Sequence, residues 1–155
     1  MKVKIIVLSI LSLFVYSCGS STSEKSNKHT TTTQDNAKVV FDIPSFVGKD
    51  IDQIVATIGK PESDTEPTKL QLENDMTEWD KTFTKDGFDL LVTYNAIDRT
   101  VKDFFLTLTS GKIEDYKSLL KPGNLNENST EYIIQPVYTK AENECTGITI
   151  TSSSY

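Results

Sequence analysis

Few residues in this chain of 155 could carry chemistry: two cysteines (Cys18 and Cys145), one histidine (His29) and 22 carboxylates. Nucleophilic catalysis needs a base beside the nucleophile, usually a histidine. His29 sits in a Ser/Thr-rich stretch far from Cys145 in sequence, so no such pair is expected. Zinc sites need clustered His and Cys, and phosphate loops need glycine-rich motifs; the chain has neither. Asp50-Ile51-Asp52 and Glu142-Asn143-Glu144 lack the glycine and distal glutamate of a calcium loop and read as solvated charge. Paired carboxylates for hydrolysis stay open, because sequence spacing does not give their separation in space. The expectation is a domain with no catalytic residue, no metal and no cofactor. Trp79, Tyr94 and Tyr138 are the candidate binding face, although aromatics on half-buried strands also serve as core.

Cys18 has a different context. Lys2 and Lys4 precede a run of twelve uncharged, strongly apolar residues, Ile5 to Tyr16. Crossing a bilayer takes about 20 such residues, so the run reads as the core of a secretory signal. Val15-Tyr16-Ser17-Cys18, followed by Gly19-Ser20-Ser21, resembles the lipobox of bacterial lipoproteins. That resemblance implies a diacylglycerol on the Cys18 thiol, cleavage before it, and often a further acyl chain of the palmitate type. It also implies an outer-membrane address, because Gly19 stands where some Gram-negative families carry an inner-membrane retention aspartate. Two or more acyl chains anchor stably, at about 0.8 kcal/mol per buried methylene. Cys145 is then left without a partner in the chain and reads as a small, half-buried strand residue.

The chain thus divides into a signal peptide (1–17), a lipidated cysteine with a flexible tether (18–38) and a single globular domain (39–155). The tether, rich in Ser and Thr, has no aliphatic periodicity and spans about 25 Å as a random coil. Losing Lys2 and Lys4 leaves 14 basic residues against 22 acidic ones, a net charge of −8. Such a surface repels nucleic acid and anionic lipid headgroups, so membrane attachment must come from the lipid anchor.

Inside the domain, Ile51, Ile54, Val55 and Ile58 make an apolar stripe at helical spacing. Asp50 is placed as its N-cap with Gln53 three residues on, and Gly59 with Pro61 ends the helix. Residues 61–68 read as a loop. Trp79 to Phe83 and Phe88 to Tyr94 alternate as strands around the turn Lys85-Asp86-Gly87. After a turn over 95–99, Val101 to Leu108 follows, with Val101 out of phase and a bulge expected near Asp103. Ile113 to Leu120 reads as a second helix. Thr130 to Thr139 and Cys145 to Thr151 read as a closing hairpin, with Pro136 on an edge or at a bulge. The predicted class is α+β, a small antiparallel sheet with two short helices in the order α-β-β-β-α-β-β.

Gly48-Lys49, Ile54, Ile58-Gly59 and Pro61 together resemble the helix-to-loop signature of the small SmpA/OmlA (BamE-like) lipoproteins. The resemblance implies helices beside a short antiparallel sheet and a role near outer-membrane protein assembly; it assigns no functional residue. The expected function is a non-catalytic envelope lipoprotein that binds another protein. The alternative is an immunity-type inhibitor of a basic toxin or hydrolase, suggested by acidity and small size.

Overall fold

Residue alternation and capping build one sheet and two helices. The computed structural model describes residues 38–140 and 144–154. The signal segment, Cys18, the tether up to residue 37 with His29, and Glu142 lie outside the described residues.

Helix α1 (Ile51–Ile58) forms as its sequence predicts. The Asp50 carboxylate accepts the Gln53 N–H at 2.8 Å, and the Gln53 side-chain oxygen accepts the Asp50 N–H at 3.2 Å. This reciprocal box satisfies two of the donors that a helix start leaves bare. Gly59 ends the helix at φ +109°, where a side chain would be strained, and its N–H reaches the Val55 carbonyl. Ile51 and Ile54 are fully buried, while Val55 and Ile58 pack at the core's margin.

Strands β1 (Glu78–Lys85), β2 (Phe88–Asn95), β3 (Val101–Leu108), β4 (Tyr132–Tyr138) and β5 (Cys145–Ser152) form one antiparallel sheet, ordered β1-β2-β3-β5-β4. Alternation gives it one buried face, centred on Leu90, Val92, Phe104, Leu106, Ile148 and Ile150. The bulge expected near Asp103 is present. Thr93 pairs with Asp103 and Tyr94 with Val101, so Lys102 is the extra residue and both Val101 and Phe104 turn inward. On the opposite face Phe105 lies over Gly147, where an added Cβ would sit 2.7 Å from the Leu106 carbonyl oxygen.

Two expectations need correction. The helix predicted over Ile113 to Leu120 is only a 3₁₀ turn, Tyr116–Leu119. Ile113 forms a bridge with Cys145, Asp115 caps from an extended conformation, and Pro122 follows closely, so too few residues remain for an α-helix. The second α-helix lies elsewhere: α2 (Lys69–Glu73), in a stretch assigned no element, begins at Thr68 with another capping box to Gln71. Its residues are not buried, so no apolar periodicity announced it. The α+β class stands.

Candidate functional site

Lys81 shares the inward phase of β1 with Trp79 and Phe83 and is 2 % exposed. A lone buried ammonium would be prohibitively desolvated. Two carboxylates from the segment before β1 meet it: Asp64 at 3.0 Å and Glu66 at 2.9 Å. The amine also lies 5.9 Å from the centre of the Tyr94 ring. The segment is laid against β1 by the Glu62 N–H, which donates to the Thr82 carbonyl at 2.8 Å. The Trp79 indole N–H donates to the Thr65 carbonyl at 2.9 Å.

Glu66 joins Lys81 to a second cation. Its Oε2 accepts the Tyr94 hydroxyl at 3.1 Å and Arg99 Nη1 at 2.8 Å. Arg99 also forks onto Asp52 of α1, through Nε to Oδ2 at 3.1 Å and Nη2 to Oδ1 at 2.7 Å. Bidentate geometry of this kind is the strong form of the ion pair. The guanidinium carbon stands 4.9 Å from the Tyr94 ring centre, within cation–π range. Arg99 is placed by the β2–β3 turn, where it adopts φ +67° and its carbonyl accepts the Ile51 N–H. Three carboxylates, two cations and one buried phenol thus tie α1, the 61–68 segment, β1 and the β2–β3 turn together.

The titrations follow from these contacts. The Arg99 hydrogen bonds hold Glu66 down at about 2 against the opposing effect of burial, with Lys81 and Tyr94 adding to the depression. Asp52 is likewise lowered by Arg99. Burial pulls Lys81 down, but Glu66 and Asp64 outweigh it and raise the amine. Burial, then the bond to Glu66, raises the Tyr94 phenol. Asp52, Glu66, Lys81 and Tyr94 all move away from neutrality. Groups so fixed hold structure together and do not exchange protons near pH 7.

The aromatics predicted as one binding face are not brought together. Tyr94 is fully buried and Trp79, its register partner, is half-buried. Tyr138 is 48 % exposed, but on β4 at the other edge of the sheet. Tyr138 instead lines an open groove of about 570 Å³ with Ile113, Tyr116 and Cys145. Cys145 is half-buried at the start of β5, its thiol 3.5 Å from the Gly147 carbonyl oxygen. Asp50 and Asp52, considered as calcium ligands, are a helix cap and an Arg99 partner, and no metal-binding group of His, Cys, Asp and Glu occurs among the described residues. The ion-pair cluster was missed by the sequence reading. Its one signal is a lysine in phase with Trp79 and Phe83. No protein-family model, curated protein or solved structure matches the chain.

Proposed function

We propose that this chain is a lipid-anchored cell-envelope protein, held in the outer membrane through Cys18, whose folded domain binds another protein and catalyses no reaction. The observation that carries the reading is the run from Lys2 to Cys18, in which a basic start, twelve apolar residues and a cysteine flanked by small polar residues follow in order. No helix among the described residues is long and apolar enough to cross a membrane, so under this reading attachment rests on the acyl chains. Glu66 and Asp52 of the ion-pair cluster are not poised as a general acid. A hydrolase built on paired carboxylates needs one held protonated near neutrality, whereas Glu66 and Asp52 are both held ionised. The likeness of the Gly48–Pro61 segment to the SmpA/OmlA lipoproteins favours a place in outer-membrane assembly or maintenance.

The test is metabolic labelling with a fatty-acid analogue, with mass spectrometry of the mature amino terminus. Wild type is expected to incorporate label and to begin at an acylated Cys18; Cys18→Ala is expected to incorporate none and to keep its uncleaved amino-terminal segment. An unmodified amino-terminal peptide, or cleavage at another bond, would overturn the reading.

The immunity-type alternative draws on the net charge of −8 that remains without Lys2 and Lys4. It predicts tight, salt-sensitive inhibition of a cationic enzyme. Inhibition that is absent or indifferent to salt would remove it.

A further inference from the structure

Five large apolar side chains stand exposed among the described residues, and three of them belong to backbone segments that meet at one corner: Leu70 at 68 %, Met76 at 49 % and Ile97 at 66 %. Backbone hydrogen bonds hold this corner together. The Met76 N–H donates to the Gln71 carbonyl at 3.0 Å, and the Ala96 N–H to the Thr77 carbonyl at 2.8 Å. Met76 and Ile97 therefore flank one hydrogen-bonded junction, with α2 and Leu70 beside it. These side chains do not serve the domain's own core. Exposed apolar side chains brought to neighbouring turns mark a candidate interaction site.

The charge around them is one-sided. Each cation at the corner is already engaged, Lys69 by Glu73, Arg99 by Asp52 and Glu66, and Lys102 by Glu78. Asp75 and Asp98 make no ion pair among the described residues. The free charge at the rim is thus negative. We propose that this corner docks a cationic protein, one that offers apolar side chains ringed by lysine or arginine. The proposal rests on the protein-binding reading above and names the surface and the partner's chemistry.

A bilayer is the poorer occupant for two reasons. A negative rim repels anionic headgroups. In addition, Lys38, the first described residue, pairs with Asp86 in the β1–β2 turn at 3.6 Å. That turn lies at the opposite end of β1, about 23 Å from the corner at the usual rise of a strand. The chain therefore enters the domain at the end remote from Leu70, Met76 and Ile97, and a bilayer contact there would require the tether of about 25 Å to fold back along the length of β1.

The probe is a fluorescent amphipathic helix of leucine and lysine, with a leucine–glutamate helix of the same pattern as control. Both are titrated against the full lipidated chain in phosphatidylcholine nanodiscs, against empty nanodiscs, and against the Leu70→Ser/Ile97→Ser variant, whose changes are at exposed sites and leave the fold intact. The lysine helix is expected to bind wild type about tenfold more tightly than the variant, the loss typical of removing central apolar anchors, and to weaken as salt rises. Equal binding to the variant or to empty nanodiscs, or equal binding of the glutamate helix, would overturn the proposal. So would self-association of wild type that the variant abolishes, which would assign the corner to a second copy. In intact cells, photocrosslinkers replace Ile97 and Tyr138 in turn. Adducts from position 97 with a basic protein support the corner. Adducts from position 138 alone would overturn it and leave the protein-binding reading standing, and none from either would count against both.

Discussion

Lys81 and Glu66 set the electrostatics of this domain at the scale of single residues. Their pair is half in water, since Glu66 keeps 46 % of its side chain exposed while Lys81 keeps 2 %. Because Glu66 falls from 4.5 to about 2 on folding, its contribution is complete above pH 4.5 and disappears as pH drops towards 2. After discounting for solvent, that contribution is about 1 kcal/mol. Urea unfolding followed from pH 6 to pH 2 is expected to lose about this much more in wild type than in Glu66→Gln. Parallel pH profiles would show the carboxylate to be uncoupled from folding. Lys81 offers a second contrast. Its side chain is buried along its length while its amine meets carboxylates. Lys81→Met keeps the stem and is expected to cost about 1 kcal/mol, because the carboxylates it leaves, Asp64 and Glu66, are 59 % and 46 % exposed and regain water. Lys81→Ala removes both and is expected to cost about 3 kcal/mol. Equal losses in chemical denaturation would mean that the charge, not the stem, carries the stability.

At the scale of elements, the segment from Gly59 to Thr77 is held chiefly by polar contacts. Its helix α2 buries no residue, and its ties to the sheet run through Asp64, Glu66 and the Thr65 carbonyl. Hydrogen exchange is expected to be fastest in α2 and to quicken with salt, while β2 and β3 stay protected. Protection in α2 matching that of β2 would refute this. The sheet edges differ as well. The 61–68 segment screens β1 through the bond from Glu62 to Thr82. On β4, the Ser153 N–H donates to the Glu131 carbonyl, so alternation along the strand turns the Pro136 nitrogen to the free edge. A proline there withholds the donor that another strand would use. Pro136→Thr restores that donor and is expected to raise self-association in sedimentation. A variant that sediments as wild type does would show that the edge is guarded by something else.

For the molecule as a whole, an excess of carboxylates over cations gives a net negative charge, and among the described residues Leu70, Met76 and Ile97 are exposed apolar exceptions on neighbouring turns. Anchoring on Cys18, as proposed, would add membrane proximity to a domain whose charge alone is repelled by anionic lipid. Under that proposal the polar tether would hold the domain clear of headgroups and leave the corner open to a basic protein. Both features are properties of charge distribution, and neither depends on the fine packing of the core.

Local rules decided α1, the phase of β1, β2 and β3, the bulge opposite Thr93 and the marking of β4 by Pro136 as an edge or bulged strand. In each case the determinant is short-range: a cap three residues from its partner, an alternation of two, a missing N–H. The lipobox-like run is local too, and the role proposed for Cys18 rests on that run alone. What no local rule contains is which distant groups meet. The distance in sequence from Asp52 to Arg99, and from Glu66 to Lys81 and Tyr94, is bridged only when α1 and the 61–68 segment fold over the sheet. The same folding buried Tyr94, parted it from Tyr138, and drew Ile113 into a bridge where a helix was predicted. The turns carrying Met76 and Ile97 lie side by side only because the Ala96 N–H reaches the Thr77 carbonyl, and α2 joins them through the Met76 N–H bond to the Gln71 carbonyl.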